Sequence, residues 1–238
     1  MARGTCGSDT FIKTTLTRPF RLHSPPFLAY FDGRGIVETV RLCFAATGTK
    51  FEDNRLPLAF VGGKPVREEF DALKASGALP MGQVPILEVN GTKIFQSKAI
   101  QRYVAGKTGL LGATAEESAL IDAICESVFD LKTIVSDAKD DAAKEAIAEK
   151  LADSFKLLEG SLGGDGFSVG GKLSLADILL YYFATLGNAP NFFSPAGCPA
   201  ATAAAKASPK VAKIVATVAA NEHVAAWEAG REGRNERF

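Results

Sequence analysis

Apolar and polar positions along this 238-residue chain change rhythm near residue 110. Before it, short apolar runs alternate with turn residues. Phe27 to Phe31 is apolar and closes on Asp32-Gly33-Arg34-Gly35, which predicts a strand and a turn. Ile36, Val37, Val40, Cys43 and Phe44 recur at helical spacing and stop at Gly48. Lys50 to Leu56 predicts a second strand, Phe60 to Pro65 an irregular loop around Gly62-Gly63, and Val66 to Ser76 a short helix with Phe70 and Leu73 inward. Residues 82–97 are the densest stretch. Val84-Pro85 opens the apolar run Ile86, Leu87 and Val89; Asn90-Gly91 signals a type I′ hairpin; Thr92 to Phe95 returns as a strand. Ser97 is expected to cap a helix over Lys98 to Lys107, with Ile100, Tyr103 and Val104 on one face.

After a linker at Gly106 to Gly112 the pattern is helical only. Thr114-x-x-Glu117 reads as a capping box ahead of Leu120, Ile121, Ile124, Val128, Leu131 and Val135. Residues 140–162 predict one long amphipathic helix ended by Gly163-Gly164. Ser174-x-x-Asp177 opens a helix from Ile178 to Leu186 that is apolar almost all round, the mark of a buried central helix. Residues 188–207 read as irregular, Ser208-Pro209 as the cap and first turn of a further helix, and His223 to Ala229 as a short last one. The order βαβ, α, ββα is the thioredoxin-like arrangement. The expected fold is thus an α/β thioredoxin-like domain over residues 27–108 and an all-helical domain over 109–238, preceded by an extension at 1–26.

Composition narrows the function. Apolar residues make up 47% of the chain, enough for a sizeable core, and no apolar run approaches the roughly 20 residues that cross a membrane. Zero net charge argues against a nucleic-acid binder. The charge is uneven: residues 1–108 carry 15 Lys/Arg against 9 Asp/Glu, and residues 109–238 carry 12 against 18. A mildly basic first half suits an anionic small ligand. Cys6, Cys43, Cys125 and Cys198 have no paired spacing, so neither a redox pair nor a zinc site is indicated, and the pattern is that of a reduced, cytoplasmic protein. With only His23 and His223, metal chemistry is not expected. Residues 1–26 are basic and rich in Ser/Thr, ending in Ser24-Pro25-Pro26, a composition shared by loose extensions and organellar targeting segments.

The candidate chemistry lies in 82–97. A helix N-terminus with unpaired amides and a hydroxyl is an anion site, so a negatively charged group fits on Gln96-Ser97, against the backbone at Val84-Pro85. These residues resemble the cytosolic glutathione transferases, and within them the sigma class. The resemblance covers roughly residues 27–230 and includes Leu28-Ala29-Tyr30-Phe31, Arg34-Gly35 and Glu38, and Ser174 with Asp177 as a folding cap. It implies glutathione as co-substrate, no metal, and an apolar electrophile against the turn at Gly33 and the inner face of residues 120–136. Tyr30 would donate its hydroxyl to the glutathione sulfur. Val84 and a cis Pro85 would hold the cysteinyl backbone, Gln96 and Ser97 the γ-glutamyl carboxylate, and Gln83 the tripeptide backbone. Lys74 would meet the glycyl carboxylate, with Phe60 near the family's tryptophan position. It further implies a homodimer in which Glu126, a better match than Asp122, reaches the partner's ligand.

One departure stands out. The sigma class has an arginine two residues before the glutamate matching Glu38; here the residue is Ile36, with Arg34 two positions earlier. Two rival readings follow: a non-catalytic structural or interaction protein of the same fold, and a glutathione-dependent isomerase acting on a lipid endoperoxide. A cysteine-based thiol transferase is excluded by the absence of cysteine from residues 28–37.

Overall fold

The structure, a computed structural model, describes residues 25–186 and 197–230. The expectations for residues 1–24 and 188–196 fall outside it. The described residues lie in two compact units, one within Met1–Gly33 and Lys50–Ile100, the other within Arg34–Thr49 and Gln101–Phe238.

The first unit is built on a four-stranded sheet. Strands β1 (Phe27–Phe31), β2 (Glu52–Leu56), β5 (Ile86–Val89) and β6 (Thr92–Phe95) lie in the order β2-β1-β5-β6. β1 runs parallel to β2 and antiparallel to β5, and β5 is antiparallel to β6. Side chains alternate across a strand. Phe27 and Ala29 therefore share one face, where they form a core with Leu56, Phe70, Leu73, Leu79 and Ile86, with Phe31 and Val84 packed against it. Leu28 and Tyr30 point to the other face. The hairpin forms as the sequence predicts: Asn90 and Gly91 have φ of 50° and 78°, the two positive values a type I′ turn demands.

Gly62-Gly63 differ from the expected loop. They turn a short antiparallel hairpin, β3 (Ala59–Val61) and β4 (Lys64–Val66), with φ of 58° and 76° at the two glycines. Glycine meets positive φ without strain, so the pair that reads as irregular is a hairpin turn. Helix α2 accordingly starts after β4 and spans Glu68–Ala75, with Phe70 and Leu73 buried as expected.

The second unit opens on α1 (Glu38–Ala46), and α3 (Ser97–Thr108) enters it from the first. α4 (Ala115–Asp137) is capped by Thr114, whose side chain accepts from the Glu117 amide at 3.1 Å. The Glu117 carboxylate accepts from Ala113 at 2.6 Å, one residue earlier than a standard capping box. Its buried stripe is Ile121, Ile124, Cys125, Val128 and Leu131; Leu120, expected inward, is 54% exposed. The single helix expected over 140–162 is two, α5 (Asp141–Ala146) and α6 (Ala148–Glu159), divided at Ile147 and with Asp140 capping the first. α7 (Leu175–Tyr181) is buried along its whole length and continues as a wider π-type turn over Tyr182–Leu186. α8 (Pro199–Ala207) occupies part of the stretch expected to be irregular: six alanines, the strongest helix formers, outweigh the proline, which sits harmlessly in the first turn. α9 (Pro209–Ala219) also starts on proline, but Ser208 makes no cap bond and donates instead to the Ala204 carbonyl. α10 (Glu222–Ala229) is capped by Asn221, which accepts from His223 and Val224. No helix among the described residues is long and apolar enough to cross a membrane.

Candidate functional site

The residues of the 82–97 stretch and Tyr30 come together within the first unit because their strands are neighbours. Tyr30 stands near the end of β1, half-buried, its ring edge-on to Phe31 at 5.6 Å. It lies on the sheet face opposite the Phe27–Ala29 core, so the hydroxyl is not spent inside that core. β5 pairs with β1, and the residue before it, Pro85, follows Val84 through a cis peptide. Gln83 is extended and exposed. β6 pairs with β5 and delivers Gln96 and Ser97 at its end.

The cap of α3 differs from expectation. The Ile100 amide donates to the Gln96 carbonyl at 3.0 Å, which makes Gln96 the capping position and Ser97 the first helical residue. Gln96 has φ of 70°, an unusual backbone for a residue with a side chain. The turn lifts the amides of Ser97, Lys98 and Ala99 to the open end of a twelve-residue helix whose first turn holds no acid. That end can accept a carboxylate.

Lys74 belongs to α2 and folds along Gly82: its Cε lies 3.2 Å from the point a Cβ there would occupy. Gly82 has φ of 61°, so both space and backbone favour glycine. The lysine stem thus runs beside the segment that leads into Gln83. Phe60 sits in β3, half-buried, opposite Pro65. Glu126 and Asp122 project from α4 toward one guanidinium, with Arg102 Nε donating to Asp122 at 2.6 Å and Nη2 donating to Glu126. Glu126 is therefore a member of a three-residue ion-pair group.

Charges near the strand ends were not anticipated from sequence. Arg55 is the direct register partner of Tyr30 in the parallel β1–β2 pair, hence on the same face. It donates to Asp53 at 2.7 Å and to Asp32 at 3.2 Å. Adjacent strands reveal such a pair; a linear reading does not. Ile36 is 48% exposed, in a 3₁₀ turn over Gly35–Val37. Arg34 pairs with Glu228 at 3.5 Å. Glu38 is fully buried, bonded to Arg41 at 3.4 Å and to Trp227 Nε1 at 3.0 Å.

Cys43 and Cys125 are buried. Burial pushes Cys43 far above the ordinary thiol range and Cys125 up to about 12, which keeps both protonated. Among the described residues no group of three or more His, Cys, Asp and Glu could hold a metal. What the first unit offers is a tyrosine hydroxyl, an extended backbone edge at Gln83–Pro85 and an anion-accepting helix end.

Two family models match the chain. The model described as glutathione S-transferase, N-terminal domain, matches residues 26–106, and that of the C-terminal domain matches residues 129–231. The glutathione S-transferase alpha I of Oryctolagus cuniculus is 39% identical over 165 residues, which span 65% of this chain and 70% of that one. The chain belongs to the glutathione S-transferase family. A solved glutathione S-transferase from Necator americanus is similar in structure, with a TM-score of 0.73 and 26% identity over 90% of this chain and all of that one. One from Ascaris lumbricoides gives 0.70 and 28% over the same shares. The thioredoxin-like first domain and helical second domain expected from the sequence are the transferase architecture.

Proposed function

We propose that this glutathione transferase ionises the thiol of bound glutathione with the Tyr30 hydroxyl and directs the resulting thiolate at an apolar electrophile. A free cysteine thiol has a pKa of about 8.5, so only a few per cent is thiolate at neutral pH. Lowering it by about two units takes roughly 2.7 kcal/mol. One hydrogen bond to a charged group supplies about 1.5–3 kcal/mol, so a single hydroxyl nearly suffices.

The observation that carries the reading is the convergence, on three neighbouring strands, of Tyr30, the Val84–Pro85 cis segment and the Gln96-Ser97 helix end. In this reading Val84, Pro85 and Gln83 hold the cysteinyl backbone, and Gln96 and Ser97 take the γ-glutamyl carboxylate. Lys74 meets the glycyl carboxylate, and Phe60 lines the same end. With Ile36 in place of the family arginine, Tyr30 works without that cation. The conjugation alternative is preferred to the non-catalytic and isomerase ones because the chain's relatives bear transferase names.

Three finer points belong to the same proposal. The protein forms a homodimer in which Glu126 reaches the partner's ligand. Met81, 73% exposed, and Leu120, 54% exposed, are apolar side chains that such a contact would cover. The protein works in the cytoplasm. Its motif around Tyr30 is that of the sigma class while curated relatives carry alpha-class names, and nothing in the proposed chemistry turns on that difference.

The test is Tyr30→Phe, assayed by conjugation of a chloronitroarene and by direct binding of glutathione. Loss of one charged hydrogen bond predicts a fall in turnover of about 10- to 150-fold with glutathione still bound. Unchanged turnover sinks the assignment.

A further inference from the structure

The β1–β2 pairing puts Arg55 directly beside Tyr30, and Asp53 beside Leu28. Phe31 and its register partner Leu56 pack in the core, so Tyr30, Asp53 and Arg55 share the opposite sheet face. Asp32, two residues past Tyr30, completes the group. Its amide donates to the Leu56 carbonyl at 2.8 Å, and its carboxylate accepts from Arg55 Nη1 at 3.2 Å. Arg55 Nε donates to Asp53 at 2.7 Å. The side chains of Arg55 and Asp53 are each 15% exposed, and that of Asp32 38%. Arg55 Nη2 is buried and has no hydrogen-bond partner among the described residues, so one edge of the cation is left unneutralised. The other strand residues on this face, Leu87, Val89, Thr92 and Ile94, carry no charge. Glu52, Glu88 and Lys93 lie across the sheet, on the face of Phe27. Lys74, beside Gly82, and Lys98, in the first turn of α3, are the cations of the proposed tripeptide-holding end. Within the first unit, then, the charge that the strands and the turn bring to the face of Tyr30 is one cation held by two acids.

We propose that Arg55 is a positioning residue for Tyr30, and that the Asp32–Arg55–Asp53 group sets the pH at which bound glutathione loses its thiol proton. This rests on the reading that Tyr30 donates to the sulfur, and it adds what controls that step. As the proton leaves to solvent, the sulfur gains a negative charge that the Tyr30 hydroxyl stabilises. A cation beside that hydroxyl favours the ionised form, and an acid there opposes it. Groups this buried are screened little by salt, so the charges act beyond contact distance. Arg55 supplies, from the neighbouring strand, the positive charge that Ile36 lacks. Its two acids hold the guanidinium in place while cancelling part of that effect, and Asp32, the more exposed, has the smaller influence. The signs distinguish this role from a mere tie between strands. Loosening the turn would weaken catalysis whichever partner were removed, whereas charge control moves the ionisation in opposite directions for the cation and the acid.

The experiment titrates the ultraviolet absorbance of the bound thiolate in the full chain and in Arg55→Met, Arg55→Lys, Asp32→Asn and Tyr30→Phe. The pH profile of kcat/KM for a chloronitroarene at saturating glutathione accompanies it. Arg55→Met is expected to raise the ionisation pH by about one unit, and so to lower kcat/KM about tenfold on the acid side, with glutathione affinity little changed. Arg55→Lys keeps the charge and recovers most of the shift. Asp32→Asn is expected to lower the ionisation pH by about half a unit, and it removes the more exposed partner, so it reports even where Arg55→Met fails to fold. An unshifted titration in Asp32→Asn, shifts of the same sign for the cation and the acid, or a lysine variant no better than methionine overturns the proposal. Tyr30→Phe separates the two readings. If it raises the ionisation pH while the Arg55 and Asp32 variants leave it in place, only the role of the charged group fails; if it alters neither ionisation nor turnover, the Tyr30 reading falls and takes the Arg55 role with it.

Discussion

Asp177→Ala is the substitution whose effect the structure specifies most closely. The Asp177 side chain is fully buried at the start of α7 and accepts four bonds. Oδ1 takes the Ser168 amide at 2.6 Å and the Ser168 hydroxyl; Oδ2 takes the Ser174 amide at 2.7 Å and the Ser174 hydroxyl at 2.8 Å. Alanine strands two backbone amides, each worth about 1–3 kcal/mol when left unpaired in the interior, while the two hydroxyls can turn elsewhere. Against this, burial raises the Asp177 carboxyl above its ordinary value, so removing the charge recovers part of a desolvation cost. The net expectation is a loss of about 3 kcal/mol, a large fraction of a typical 5–15 kcal/mol stability. Urea unfolding followed by far-ultraviolet circular dichroism should show the midpoint falling by about 1 M. Asp177→Asn keeps one acceptor for Ser168 and sets an amide group against the Ser174 amide, so it should lose about half as much. A midpoint for Asp177→Ala within about 0.2 M of the parent would refute the reasoning; equal losses for both variants would show that the Ser168 half contributes nothing. Because the folded carboxyl protonates at higher pH than the unfolded one, its charge penalty is absent below the ordinary carboxylate value, grows as pH rises from there and is complete above the raised value. Asp177 does not drive acid unfolding.

Two further predictions concern the second unit. Lys132 titrates at about 8 in the folded chain against an ordinary value of 10.5, so between those values the unfolded chain binds more protons and stability from this group rises with pH. Lys132→Met should melt higher than the parent at pH 7, and the gap should close toward pH 10.5; a gap independent of pH contradicts the shift. Trp227→Phe removes the indole donor to the buried Glu38 carboxylate and should lower stability by about 1–2 kcal/mol in the same urea assay, with no loss predicting that Glu38 is fully served by its other partners.

Much of this fold was legible because local signals carry it. Asn90-Gly91 specifies a hairpin by its conformational freedom, and Ser174-x-x-Asp177 caps a helix within four residues. What stayed hidden depends on neighbours distant in sequence or on conformations that composition does not announce. Gln96 takes a left-handed backbone that nothing in its residue type signals, so the cap was read one residue late. Arg55 joins Tyr30 only through strand register. Lys132 and Tyr182 are 50 residues apart and meet through helix packing, and the helical spacing of α4 marks Lys132 merely as a polar position beside an apolar stripe. The candidate residues Val84, Pro85, Gln96 and Ser97 were readable because they lie on contiguous turns and strand ends.

The capping box that starts α7 is fully satisfied, and α7 runs directly into Tyr182. Tyr182 in turn holds the Gly35 carbonyl at 2.9 Å and presents its ring to Lys132. A rigid, well-bonded helix start thus fixes the one ring against which an unpaired cation is kept. Stability is spent at Lys132, whose charge no acid among the described residues neutralises, and is recovered at Asp177, where four donors converge. The frame explains why the two predictions have opposite signs: loosening Asp177 should unfold the unit, while removing the Lys132 charge should firm it.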